Sequence, residues 1–477
     1  MAAPSPALLD RLAQLLGPKG FSRDPDELAP WQTDWRGRFN GRAAALLSPA
    51  DTSEVAGIVR LCAESRVPLV PQGGNSSMVG GATPDAGGDA LILSLRRMDA
   101  VRSIDREANL AICESGLILQ NLHEAAARIG RRFPLTLGAR GSATVGGLVS
   151  TNAGGTQVLR FGTMRSLVQG IEAVLPDGSI YNGLAALKKD NRGYNLTQLL
   201  IGAEGTLGIV TAASLRLVPE IGSRAVAWIG LDSAGDALRL LRHLEAAVGD
   251  AVESFELVPK IALDLVLTHI PGTRAPLGSG SAWNVLVEAV APLAAASPEE
   301  ALHYALQAAL ESGLIEDAAI AASEAQALAF WHLRESIAEA EKQEGQGAKH
   351  DLSVAVGQMP SFIVETSAEV EATFPGTRVI AFGHLGDGNV HFNVAAPPGA
   401  PADWVDGEGK AVSAFVHQKV TDAGGSISAE HGIGQMKLAE LGRLGEPARL
   451  NAMRAIKLAL DPHNIMNPGK LVPPAAA

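Results

Sequence analysis

The 52 glycines of this 477-residue chain constrain its fold more than any other feature, because they are bunched. They crowd 71–88, 138–162, 383–388 and 424–434, and the stretches between are well patterned. Clustered glycine marks backbone that must turn sharply or lie close against something else. Between the clusters, ALLSPADTSEVAGIVRLCAESRVPLVPQGG reads as a short strand, a helix opened by Asp51 and Ser53, and a second strand ending at Pro71. LVQGIEAVLPDGSIYN at 167–182 reads as two strands about a Pro176-Asp177-Gly178 turn. After about residue 220, alanine-rich helices at 233–249, 298–312 and 323–345 alternate with the strand-like VAWIGL, WNVLVEAV and RVIAFGHL. The chain is too long for one core. The expected division is 1–220, 221–440 and a helical segment at 441–477 that stops at Asp461-Pro462.

Composition removes several function classes. Thirty-nine Lys and Arg against 51 Asp and Glu leave a net charge of -12, which repels nucleic acid. Two cysteines, Cys62 and Cys113, make neither a disulfide framework nor a thiolate metal site. The apolar stretch 283–296 is interrupted by Asn284, Glu288 and Pro292, so no run reaches bilayer length. MAAPSPALLDRLAQLL reads as an amphipathic helix, not a secretory signal, and a cytoplasmic location is expected. Neither G-x-G-x-x-G nor G-x-x-x-x-G-K-[ST] occurs, which disfavours a nicotinamide dehydrogenase or a P-loop enzyme.

In PQGGNSSMVGG, at 71–81, the successive N–H groups of Gly73, Gly74, Asn75, Ser76 and Ser77 suit an anion such as pyrophosphate. A plain glycine-rich turn is the alternative. LGARGSATVGGLVSTNAGGTQVLRFGTMR at 137–165 supplies small residues with Thr151 and Asn152, suited to a flat ring lying on backbone. GAEGTLGIVTAASLRLVP at 202–219 repeats the theme before a β-branched run that reads as a buried strand.

VIAFGHLGDGNVHFNVA is a hairpin signal, and symmetric pairing about Asp387 and Gly388 sets His384 directly opposite His391. Asn393 shares their face. SAEHGIG at 428–434 presents Glu430 and His431 at the end of a strand-like segment. Two histidines and a carboxylate suit Zn²⁺ with an open position, and Mn²⁺, Co²⁺ or Fe²⁺ would accept the same set. Surface histidines and a Glu430–His431 helix cap are the alternatives. Arg334 and Lys349, the latter just before a strand beginning near Asp351, are either solvated charges or anchors for a substrate carboxylate.

Taken in order with GHLGDGNVHFNV at 383–394, SAEHGIG at 428–434 and IMNPGK at 465–470, the glycine clusters make the chain resemble the FAD-linked D-2-hydroxyacid dehydrogenases. These belong to the vanillyl-alcohol-oxidase and para-cresol-methylhydroxylase superfamily. The resemblance implies an α+β fold: a two-subdomain FAD-binding domain, an α+β cap or substrate domain with an antiparallel sheet, and a C-terminal helical segment returning to the flavin. It implies FAD contacts at Pro71, Gly73, Gly74, Asn75, Ser76, Ser77, Ser142, Gly146, Asn152, Gly155, Gly162, Glu204, Gly205 and Ile209, with Asn467 approaching the isoalloxazine. It also implies metal ligands His384, His391 and Glu430, His431 as base, and Arg334, Lys349 and Asn393 as substrate ligands. The first glycine loop has no histidine, so the FAD is expected to be non-covalent.

The implied reaction is hydride transfer from a D-2-hydroxy acid to flavin, with D-2-hydroxyglutarate the first substrate. Two residues depart from the family pattern: Ser77 follows Ser76 where relatives have Thr then Gly, and Ala338 stands where relatives acting on D-2-hydroxyglutarate carry a hydroxyl. The second departure keeps D-lactate and other D-2-hydroxy acids open. An electron-transfer flavoprotein or a quinone is the expected acceptor, and a homodimer is expected by base rate. The competing readings are an O₂-using oxidase, a catalytically silent flavin subunit, and a metal-dependent hydrolase without flavin.

Overall fold

The computed structural model describes residues 3–475. Helices start where a short polar side chain precedes apolar periodicity. Ser5 opens the Pro6–Gly20 helix by accepting from Leu8 N. Asp51 opens Thr52–Ser65 by accepting from Glu54 N at 2.9 Å, and the Glu54 carboxylate returns to Ala50 N at 2.6 Å. Two donors that the helix cannot satisfy itself are thereby paired. The apolar face of Thr52–Ser65 shares a core with the parallel strands Ala43–Leu47, Ala90–Ser94 and Leu69–Gln72. Leu69–Gln72 then delivers the first glycine loop at its C-terminal end.

The chain forms two compact units. Among the described residues, the first contains those up to Gly155, Phe161–Pro219, and those from Glu430 onward. Its second sheet runs Val101–Asp105, Leu110–Glu114, Ile209–Arg216, Val168–Val174, Ile180–Asn182 in spatial order. The last two strands form the hairpin expected at 167–182. Ile209–Arg216 lies centrally between two antiparallel neighbours and is buried except at Arg216, as a β-branched run requires.

The C-terminal residues are not a separate segment beginning at 441. The chain rejoins the first unit at Glu430, because the N–H groups of Ile433 and Gly434 donate to the Glu204 carboxylate at 2.8 Å each. Gln435 Nε2 donates to the carbonyls of Gly80 and Thr83 at 2.8 Å. Further on, Leu69 N–H donates to Ile465 O and Asn467 N–H to Leu69 O, seating the tail beside the strand that carries the first glycine loop.

The second unit comprises Thr156–Arg160 and Glu220–Ala429. Its sheet has seven antiparallel strands in the order Asp317–Ile320, Ile221–Leu231, Trp283–Pro292, Val252–Pro259, Arg378–His384, Asn389–Ala395, Gly347–Ser353. From Ala225 onward the strand Ile221–Leu231 is buried on both faces. Val226 and Trp228 pack with the helices Lys260–His269, Glu324–Glu335 and Ile337–Gln343, while Ala225, Ala227 and Ile229 are buried on the other side. This two-sided burial is why VAWIGL reads as a continuous apolar run and not an alternating one. The expected helix over 323–345 is broken into two at Ser336. Among the described residues no helix is long and apolar enough to cross a membrane.

Candidate active site

The three glycine-rich segments of the first unit converge on a cleft of about 910 Å³, within the ~300–1,000 Å³ typical of cofactor sites. Pro71, Gly73, Gly74, Asn75, Ser76 and Ser77 line it, with Ser142 and Gly146 from the second segment and Glu204, Gly205 and Ile209 from the third. Close packing explains the glycines: a Cβ on Gly74 would stand 1.7 Å from the Ser142 carbonyl oxygen. Ser77 accommodates its side chain by accepting from Val79 N and Gly81 N, both at 3.3 Å, so its hydroxyl caps the loop.

Four residues expected at the cofactor do not line this cleft. Asn152 ends the Val145–Thr151 helix in a left-handed conformation, and its Oδ1 accepts from Thr163 Oγ1 and Arg165 N at 2.9 Å each. Gly155 is set by close approach to Thr136 O, and Gly162 by a turn against Ser166. Asn467 is 1% exposed and donates to Gly81 O at 2.9 Å and Glu204 O at 2.7 Å, stapling two cleft loops from behind. The residues the sequence reading passed over include Gln72 and Ser115. Both line the cleft, and Gln72 Oε1 and Ser115 Oγ are buried there without a hydrogen-bond partner. Buried polar atoms are normally satisfied, so a dinucleotide with polar linkers and a flat ring fits these walls.

Glu430 and His431 line the same cleft. They lie in an irregular loop and not at a strand end, since among the described residues the preceding segment pairs with the Gly347–Ser353 strand only as the isolated Ser353–Ser426 bridge, with Ala429 N–H donating to Asp351 O at 3.3 Å. The loop is held by Glu204, whose carboxylate grips the two N–H groups that follow Gly432. Burial pushes the Glu204 carboxyl up, against the pull of those N–H groups and of Lys437. Gly432 has φ +80°, and a Cβ there would stand 2.8 Å from Glu204 Oε1.

The histidine hairpin belongs to the second unit, with a register shifted from the expected one. His384 pairs with Asn389, and His391 with Phe382. The connection is four residues long because Leu385 N–H leaves the hairpin and donates to Phe255 O at 3.0 Å. The shift is two residues, so the faces are preserved. His384 and His391 become diagonal neighbours with ring centroids 5.4 Å apart, and Asn393 stays on their side. Lys349 lies within the Gly347–Ser353 strand, directly across from Asn393, and not ahead of a strand starting at Asp351.

Two buried glutamates missed in the sequence organise this face. Glu256, cross-strand from His384, accepts from His384 Nδ1 at 2.6 Å and from Arg334 Nε at 2.9 Å. Burial pushes its carboxyl up, but His384, Arg334 and His391 outweigh that and hold it at about 2. Arg334 stacks on Phe382 at 4.8 Å. Its Nη2 is ion-paired with Glu256 Oε2 at 2.8 Å and makes no well-aligned hydrogen bond, so with two N–H groups on that nitrogen a donor is left for a ligand. Glu341 accepts from Lys349 Nζ at 2.9 Å, and Asn393 Nδ2 reaches both its oxygens at 2.9 Å. The only sequence signal for either glutamate was a charge placed within or beside an apolar run.

Comparison with known proteins gives two family matches: FAD linked oxidases, C-terminal domain, over residues 222–471, and an FAD binding domain over residues 43–183. The mitochondrial D-2-hydroxyglutarate dehydrogenase of Arabidopsis thaliana is 36% identical over 460 residues, covering 96% of this chain and 80% of that protein. The Bos taurus counterpart is 38% identical over 450 residues, covering 94% and 80%. Among solved structures, p-cresol methylhydroxylase with substrate bound superposes with a TM-score of 0.75 at 15% identity, covering 98% of this chain and 96% of that one, a likeness of fold.

Proposed function

The chain belongs to the FAD-linked oxidase family that includes the D-2-hydroxyglutarate dehydrogenases, and from that premise we propose that it oxidises a D-2-hydroxy acid, with D-2-hydroxyglutarate the first to test and D-lactate the second, to the 2-oxo acid in a metal-assisted reaction. One observation carries the reading: His431, a side chain able to move a proton near neutral pH, lines the same cleft as the glycine loops suited to FAD. When bound there, FAD supplies the two-electron acceptor that no side chain can provide.

In this reading His431 takes the proton from the substrate hydroxyl, and the Glu204 clamp on the following residues fixes where its imidazole stands. Arg334 offers the remaining N–H of its Nη2 to a substrate carboxylate, while Lys349 and Asn393 orient the remainder. His384, His391 and Glu430 would hold a divalent metal, which would supply a Lewis acid for the hydroxyl and carboxylate. The metal assignment is supported by the donor chemistry and by the Glu256 contact. With Nδ1 of His384 engaged by a carboxylate, Nε2 is the nitrogen presented to a ligand.

The test is an anaerobic titration of the purified yellow protein with D-2-hydroxyglutarate and then D-lactate, using the L-isomers as controls. Bleaching of the oxidised flavin band by a D-acid alone is the expected result. A yellow protein that neither acid bleaches would refute the substrate class. A colourless protein that binds no FAD would move a metal-dependent hydrolase to the front.

A further inference from the structure

The geometry points to Glu341 as a specificity-determining residue that disfavours a second carboxylate, so that the preferred substrates are 2-hydroxy acids with an uncharged distal end. The inference rests on the reading of Arg334, Lys349 and Asn393 as substrate ligands.

Arg334, Ala338 and Glu341 recur at i, i+4 and i+7 across the junction of two helices, which puts them on one stripe. The stripe begins in a buried cation, passes an exposed methyl group and ends in a buried carboxylate. The two cations available to substrate are unequally committed. Arg334 is paired with Glu256 but keeps a buried N–H without a partner. Lys349 is paired with Glu341 at 2.9 Å, and Asn393 has turned its amide to both oxygens of the same carboxylate. Glu341 is 4% exposed against 30% for Lys349, so the ammonium has an open side with a fixed negative charge directly behind it.

The consequence follows from charge counting. Arg334 and Lys349 are each balanced by a glutamate within their own unit. A monocarboxylate can take the unspent donor of Arg334. A second carboxylate at Lys349 must share one ammonium with Glu341, and two like charges on one partner disfavour the ionised pair. An amide, a hydroxyl or an alkyl end avoids that repulsion, and the ammonium still has protons to donate. Ala338 contributes no hydroxyl that would compensate a diacid.

The test compares kcat/KM of the FAD- and metal-loaded enzyme for two substrates of equal length. These are D-2-hydroxyglutarate and D-2-hydroxyglutaramate, the same chain with its distal carboxylate replaced by a carboxamide. The wild type is expected to favour the amide, and E341Q, which keeps the shape and one acceptor oxygen for Lys349 while losing the charge, to shift the ratio about tenfold toward the diacid. A ratio of two substrates on one protein does not move with a general loss of stability. Should E341Q fail to hold flavin, competitive inhibition of the wild type decides the matter: glutarate is expected to bind about tenfold more weakly than glutaramate, and equal binding overturns the inference. An unchanged ratio in an active E341Q overturns this inference alone. If neither acid reduces the flavin, the functional reading falls and this inference with it.

Discussion

Replacing Glu256 with glutamine removes one buried charge while keeping the side chain's shape, and its effect can be worked out in advance. The carboxylate is 1% exposed, 2.6 Å from His384 Nδ1 and 2.9 Å from Arg334 Nε. Arg334 is itself 8% exposed, so the substitution leaves a buried guanidinium without its counter-ion. Breaking a buried pair in this way costs roughly 3–5 kcal/mol. The displacement of the Glu256 carboxyl from 4.5 to about 2 corresponds to roughly 3 kcal/mol by linkage. For a body of this size, each kcal/mol moves the melting midpoint by about 2–4 °C, so E256Q is expected to melt about 6–20 °C below wild type at pH 7.

The pH dependence has a defined sign. A carboxyl depressed in the folded state stabilises fully above its unfolded value and loses that contribution as pH falls through the folded value. The gap between wild type and E256Q is therefore complete above pH 4.5 and drains toward pH 2, shrinking by about half between pH 5 and pH 3. Circular-dichroism melts and urea titrations across pH 3–8 read both quantities. A midpoint within about 2 °C of wild type at pH 7, or a gap that does not shrink on acidification, would refute the account of Glu256 as the counter-ion of Arg334 and hydrogen-bond partner of His384.

Four other outcomes are expected. Gly74→Ala, whose Cβ would stand 1.7 Å from Ser142 O, forces two cleft loops apart, and flavin absorbance per chain should fall several-fold while far-ultraviolet circular dichroism is kept. His431→Ala should retain FAD and lose ~10²–10⁴-fold in the rate of flavin reduction by substrate; reduction at the wild-type rate would remove His431 as the base. Dialysis against a chelator should abolish turnover without bleaching the flavin, with Zn²⁺, Mn²⁺ or Co²⁺ restoring it; full activity in metal-free protein would end the metal assignment. Cys62 and Cys113, both pushed up to about 12 by burial, should not react with a thiol reagent at pH 8 until urea unfolds the chain.

The amino-acid sequence alone carried what depends on neighbours along the chain. Asp51 announced a helix start, Pro176-Asp177-Gly178 announced a hairpin, and the glycine bunches marked backbone that packs too closely for side chains. Alternation with period two put His384, His391 and Asn393 on one face, and a two-residue slip in pairing could not undo that, because parity survives it. Tertiary structure decided what depends on distant partners. The hairpin register follows from Leu385 bonding to Phe255, a strand far earlier in the chain. Asn152 and Asn467 became staples because Arg165 and Glu204 offered them bonds that no local rule foresees. Glu256 and Glu341 looked like ordinary glutamates until folding buried them beside Arg334 and Lys349. A buried carboxylate must find a cation, and which cation it finds is a property of the packed sheet and helices, not of spacing along the chain.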